Sequence, residues 1–256
     1  MSLATTTKIN QLIAESVPGG LLFSSWLHCM GFSPQLVKRY RESGWLETLV
    51  RGVMYRRADK LSAMAAVSCY AHQTGNHARI AAHSALDLQG FSHYVPMGRK
   101  PRLMVAFDSG NVEKWVRSDK YDMVIEPFST SVFSNPSTIS VDKEKYSLTL
   151  SSPEQAFLEC LYLVPLFYNY MDLFYIMEQM TSLDPEKVQT ALENTKSQRI
   201  KRMFLYMAEK AGHYWFEMLQ PKKLGLSSSK LQLVENGVYM SKYRITVPKE
   251  LYDYEQ

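Results

Sequence analysis

The sequence predicts an α+β protein built from two domains. Three observations carry this. Short apolar runs at helical spacing, punctuated by Pro and Gly, fill the first 45 or so residues. Segments rich in β-branched residues with turn signals fill the middle. From residue 153 the pattern is mainly helical, with strands at the end. The 256 residues are 46% hydrophobic and 21% charged, the balance of a globular chain with ample core material. The expected division is 1–80 and 81–256, the second part mixed α/β, helix-rich from 153, with a helical bundle portion and terminal β-strands.

Residues 5–15 place Ile9, Leu12 and Ile13 on one helical face, and Pro18-Gly19-Gly20 ends that element. Ser24 or Ser25 is placed to cap a second short helix over 26–30, stopped by Gly31. Ser33 caps a third, with Pro34 at its first position, where a missing N–H costs nothing. Two helices joined by a tight glycine turn make a helix-turn-helix. On the third helix Leu36, Val37 and Tyr40 share one face, while Gln35, Lys38, Arg39 and Glu42 lie opposite. Gly44 terminates it. The strands 45–50 and 53–57 flank Arg51-Gly52 as a hairpin tip, which makes a wing with Arg51 at its point and Arg56 and Arg57 on the return strand. This is the pattern of a winged helix-turn-helix.

Further on, residues 61–71 read as an apolar helix and 77–90 as a brief strand followed by a helix. Residues 102–107 and 121–126 read as strands, and 138–141 with 146–150 as a hairpin. Ser152-Pro153-Glu154-Gln155 is a helix start with Gln placed for a capping box. The greasiest stretch, 156–177, contains Glu159, Pro165, Asn169 and Asp172 and reads as a buried helical hairpin, not a membrane span. Asp184 caps a helix opened by Pro185. A longer helix runs 199–219, followed by strands around a Glu235-Asn236-Gly237 turn.

Charge is distributed unevenly. Residues 1–60 hold eight Lys/Arg and four Asp/Glu, an excess of +4 equal to that of the whole chain. Such a local excess points to an anionic partner for that segment. A recognition helix needs the division found on the third helix: Lys and Arg for phosphates and guanine edges, Gln for adenine edges.

Enzymatic signatures are absent: no GxxxxGK[ST], HExxH, GxSxG or paired CxxC occurs. Cys29, Cys69 and Cys160 are far apart, which fits free thiols in a reducing compartment. With no signal peptide pattern, a cytoplasmic location is expected. Cys29 beside His28 reads as a packing residue. His72, His77, His83 and His93 are loosely clustered, but their spacing matches no metal site, and neither a metal nor a cofactor is expected.

The run Gly19–Arg57 resembles the N-terminal winged helix of the AbiEi-type antitoxins of type IV toxin–antitoxin systems. "ALDLQGFSHYVPMG", "SSPEQAFLE", "RIKRMFLYMAEKAGHYW", "LGLSSSKLQLVENGVY" and "KYRITVP" look like that family's later blocks, in order. One departure is Ala81-Ala82, where glycine is expected before Ser84-Ala85-Leu86. The resemblance implies a non-enzymatic protein that binds double-stranded DNA, at inverted repeats in its own promoter, and neutralises a nucleotidyltransferase-like toxin through the rest of the chain, with direct contact left open. Carried onto this chain, it makes Ser24, Ser25, Ser33, Gln35, Lys38, Arg39 and Arg51 the DNA-contacting candidates, to which the wing adds Arg56 and Arg57. The helix starting near Arg199 buries Ile200, Met203, Phe204, Met207, Ala208 and Ala211 on one face. Arg199, Arg202, Tyr206 and Lys210 on the other are the expected antitoxin surface. Two other classes remain open: a metal-dependent nucleic-acid-processing hydrolase using the histidines, and a ligand-sensing winged-helix regulator.

Overall fold

The computed structural model describes residues 7–91, 100–108, 112–129 and 131–255. It is mixed α and β, and it divides into two compact units. The first comprises Met1–Ile80, Pro96–Ser129 and Ser140–Thr149, and the second Ala81–Val95, Thr130–Ile139 and Leu150–Gln256.

The first unit opens with α1 (Lys8–Glu15), capped by the Thr7 hydroxyl, then β1 (Leu22–Phe23), α2 (Ser24–Cys29), α3 (Pro34–Glu42), β2 (Leu46–Val50) and β3 (Val53–Arg56). The three strands form one antiparallel sheet in the order β1-β3-β2. Leu12, Leu22, Leu27, Phe32, Leu46 and Met54 form its core, drawn from α1, β1, α2, β2, β3 and the turn before α3, with Leu36, Val37 and Tyr40 of α3 packed against it. That is why the hydrophobic spacing of so short a segment suffices to fix its fold.

Next come α4 (Ala63–Thr74) and β4 (Ala78–Ile80), which lead out of this segment. The expectation that everything after residue 80 forms a second domain is corrected here. β5 (Arg102–Phe107) pairs antiparallel with β4, and β6 (Val124–Ser129) pairs parallel with β5. The sheet continues through β8 (Ser147–Ser151) to β7 (Thr138–Asp142), in the order β6-β5-β4-β8-β7. Trp115, on a 3-10 turn between β5 and β6, is fully buried against Tyr70, Phe23, Phe107 and Tyr121. This aromatic cluster ties the returning chain to the N-terminal elements.

In the second unit α5 (Ala82–Leu88) packs on α6 (Pro153–Tyr162), which α7 (Tyr170–Gln179), α8 (Pro185–Glu193) and α9 (Gln198–Lys210) also cover. Surrounded in this way, α6 is buried from Glu154 to Leu161, polar residues included. Its Gln155 side chain does not close the expected capping box; it donates to Glu159 at 3.1 Å. Glu159 also accepts from the Ser151 hydroxyl and the Ala82 N–H, each at 3.0 Å. Ala82 has φ +47°, a left-handed conformation that favours glycine, and so gives the expected glycine its physical reason. The long helix expected over 199–219 breaks at Gly212 (φ +67°), and a 3-10 turn, Tyr214–Met218, follows. β9 (Leu231–Gln232), β10 (Val238–Met240) and β11 (Ile245–Val247) form a small sheet, and the described chain closes on α10 (Lys249–Asp253) instead of on strands.

Candidate nucleic-acid interface

The exposed face of α3 follows from how its buried face is fixed. Ser33 Oγ accepts the Leu36 N–H at 3.2 Å, and Pro34 starts the helix. Leu36, Val37 and Tyr40 then pack on the N-terminal core. Gln35, Lys38, Arg39 and Glu42 are left exposed, as is Arg41, which helical spacing alone did not single out. Lys38 Nζ lies 3.7 Å from Glu42 Oε1, with both side chains in solvent. A pair of this kind contributes only about 0.3–0.5 kcal/mol, so Lys38 is easily surrendered to a stronger anion.

The hairpin stands beside α2. Gly52 at its tip has φ +83°, and its carbonyl accepts both the Ser24 N–H at 2.9 Å and the Ser24 hydroxyl at 3.0 Å. Ser24 is therefore the first residue of α2 and a clasp on the hairpin, while Phe23 occupies the cap position expected for a serine. The clasp brings Ser24, Ser25 and Arg51, all exposed, to one place. Arg57 is exposed as well. Arg56 is not available: its Nε and Nη2 both reach Asp59 Oδ2 at 2.8 Å, and the same oxygen accepts the Gly19 N–H at 2.9 Å. Arg56, expected among the DNA contacts, is thus held by Asp59 and only partly exposed.

Lys120 carried no signal in the sequence. From the far side of the 3-10 turn it donates to Glu47 at 2.6 Å and to the Tyr55 hydroxyl at 2.8 Å, on the two wing strands. The hydrogen bond from Lys120, followed by that from Tyr55, holds the Glu47 carboxyl below its usual range, and the same contacts raise Lys120. Lys120 balances the charge of Glu47 on the hairpin. Trp45, between α3 and β2, is 53% exposed and carried no signal in the sequence either.

A family model described as the transcriptional regulator, AbiEi antitoxin, of type IV toxin–antitoxin systems matches residues 103–248, and that of the AbiEi antitoxin N-terminal domain matches residues 5–97. The chain belongs to this family. Its members are antitoxins and transcriptional regulators. The crystal structure of the RV2827C protein from Mycobacterium tuberculosis is similar, with a TM-score of 0.57 at 13% identity, over 93% of this chain and 89% of that one. Identity that low makes it a likeness of fold alone. No curated protein sequence matches this antitoxin.

The antitoxin surface expected on α9 is corrected. Arg202 is 1% exposed and Tyr206 5%. α6, α7, β11 and the Tyr214–Met218 turn all pack on α9, and the 224–230 loop is bonded to it, so from Ile200 to Ala208 neither side of this helix is outward. Arg202 donates to the Ser229 carbonyl at 2.7 Å, to the Ser227 hydroxyl at 2.8 Å and to the Ser227 carbonyl, fastening that loop. Arg199 donates to the carbonyls of Val164 at 2.9 Å and Tyr162 at 3.0 Å, at the C-terminal end of α6. Tyr206 meets Tyr243 edge-on, and Lys210 donates to the carbonyls of Tyr252 and Tyr254. These four residues hold the second unit together.

Of the histidines, His72 and His77 are exposed, His83 bonds to the Tyr168 hydroxyl, and His93 lies outside the described residues. Among the described residues no group of three or more His, Cys, Asp and Glu is placed to hold a metal ion. Cys69 and Cys160 are buried thiols; Cys29 is exposed, so packing does not account for it. No helix among them is long and apolar enough to cross a membrane.

Proposed function

We propose that this antitoxin is a winged-helix DNA-binding autorepressor. α3 enters the major groove, and the clasped tip of the β2–β3 hairpin lies along the adjacent backbone. The observation that carries the reading is the exposed row Gln35, Lys38, Arg39 and Arg41 on a helix whose opposite face is buried, next to exposed Arg51 and Arg57. A base-reading helix with backbone-neutralising flanks requires this arrangement. The targets are inverted repeats in its own promoter. The protein acts without catalysis in the cytoplasm, and its remaining residues, 81–256, neutralise a nucleotidyltransferase-like toxin.

The test is a gel-shift titration of the full-length protein on its promoter duplex at several salt concentrations. Affinity is expected to fall with salt, with a log–log slope of about −0.9 per phosphate contact. A flat salt response, or equal affinity for a scrambled duplex, would overturn the reading.

A further inference from the structure

The second unit contains a groove of about 750 Å³ that none of the preceding roles uses. Glu178, Thr181, Ser182, His213, Tyr214 and Tyr254 are among its lining residues. Its floor is preformed. His213 Nε2 bonds to the Met177 carbonyl at 2.7 Å, and Trp215 Nε1 donates to the Met180 carbonyl at 2.9 Å. The His213 ring stacks on Trp215 with centroids 5.1 Å apart. Tyr214 is 65% exposed at the groove, and Met218, one turn further along the same 3-10 segment, is 60% exposed.

Acidic groups outnumber basic ones around this groove. It lies where two helices end: α7 stops at Gln179, beside Glu178, and α9 stops at Lys210, before the lining residues Ala211 and Gly212. Helix C-termini are the negative ends of their dipoles. The elements around the groove add Glu178 at the end of α7, Glu217 from the 3-10 segment, and Glu250, Asp253 and Glu255 in or after α10, against Lys249 and Lys242, whose ammonium lies 5.9 Å from the Phe216 ring and is paired with Glu209. Lys210 is a further nearby base, and its ammonium is bound to the carbonyls of Tyr252 and Tyr254. Exposed tyrosine faces favour a cation further.

We infer that this groove binds a segment of a protein partner that presents an arginine or lysine between apolar residues. The cation is placed against Glu178 and the tyrosine rings, and the flanking apolar groups cover Tyr214 and Met218. The inference does not depend on DNA binding, which belongs to the other unit.

The experiment titrates the full-length protein with a fluorescein-labelled nine-residue peptide of alternating Arg and Leu, and with its Glu/Leu counterpart. The Arg peptide is expected to bind saturably, and the Glu peptide not to bind. Glu178→Lys and Tyr214→Ala should each weaken binding at least tenfold while leaving the melting temperature and promoter binding unchanged. Because Tyr214 is largely in solvent, its variant keeps the test valid even if charge reversal at Glu178, which lines the groove with Tyr254, disturbs the fold. Equal binding of both peptides, Kd values within twofold for wild type and Tyr214→Ala, or sedimentation showing that the groove is occupied by a second copy of the chain would overturn the inference.

Discussion

Arg56 and Arg57 are adjacent in sequence and have opposite tasks. The turn after β3 brings Asp59 back onto Arg56, closing the ion pair that also holds Gly19, while Arg57 points to solvent. Arg56→Ala should therefore lower stability in urea by about 1–2 kcal/mol, the range of a charged hydrogen bond in a partly buried site, with operator affinity per folded molecule preserved. Lys38→Ala and Arg57→Ala should do the reverse: unchanged urea midpoints and weaker binding to every duplex, as phosphate contacts behave. Gln35→Ala or Arg39→Ala should relax preference at one base pair by about 1–3 kcal/mol. Gel shifts on single-base operator variants separate these outcomes, and no change in any of them would remove α3 from the interface. Ser33, Pro34, Gly44 and Gly52 made this region legible, because each enforces a local conformation whatever packs around it. The pairing of Arg56 needed the turn geometry, which charge counting ignores.

At the scale of the element, α3 and α9 mark where helical periodicity succeeds and fails. α3 has one neighbour side, so its apolar stripe identifies its buried face and its polar stripe identifies solvent. α9 is enclosed, and its polar stripe faces inward to the carbonyls of the 224–230 loop and the end of α6. A wheel cannot distinguish the two, since a buried arginine bonded to carbonyls and a solvated one look alike in sequence. Arg202→Ala should cost about 3 kcal/mol or more, because several loop carbonyls lose their donor at once; a urea series would measure it. An unchanged midpoint would return Arg202 to the surface. Glu159 on α6 makes the same point: it too read as a polar residue within an apolar run, yet it gathers three donors from three segments. Glu159→Ala should be at least as damaging, since it leaves those donors buried without an acceptor.

Across the whole molecule, buried phenols set the alkaline limit. Burial raises the hydroxyls of Tyr121 and Tyr206, the latter to about 12 with Tyr252 adding to the effect, and Tyr121 Oη has no hydrogen-bond partner among the described residues. In the unfolded chain these groups ionise near pH 10. Above that the unfolded state releases protons that the folded state keeps, so stability falls as pH rises, by about 1.4 kcal/mol per pH unit for each such group. Lys201, lowered by burial, acts in the opposite sense up to its ordinary value but is a single group. Melting temperatures should thus drop steeply between roughly pH 9.5 and 11. The other whole-molecule consequence concerns how the chain can be cut. The core of Leu12, Leu22, Leu27, Phe32, Leu46 and Met54 lies within the first 60 residues, which is why these N-terminal elements could be read from local sequence. The second core cannot be read that way. Tyr70 on α4 and Phe23 on β1 close on Trp115 at centroid distances of 5.3 and 6.3 Å, and β4 needs β5 beside it. A fragment of residues 1–80 loses Trp115 and β5 together, a loss on the scale of the about 3–5 kcal/mol typical of deleting one large core aromatic. Small domains have little stability beyond this. The fragment is therefore expected to unfold without a sharp transition in urea and to bind promoter DNA more weakly than the full chain, although it carries every candidate contact. A cooperative transition at the full chain's midpoint, with full affinity, would show that the N-terminal elements stand alone and that the aromatic cluster serves only the remainder of its unit.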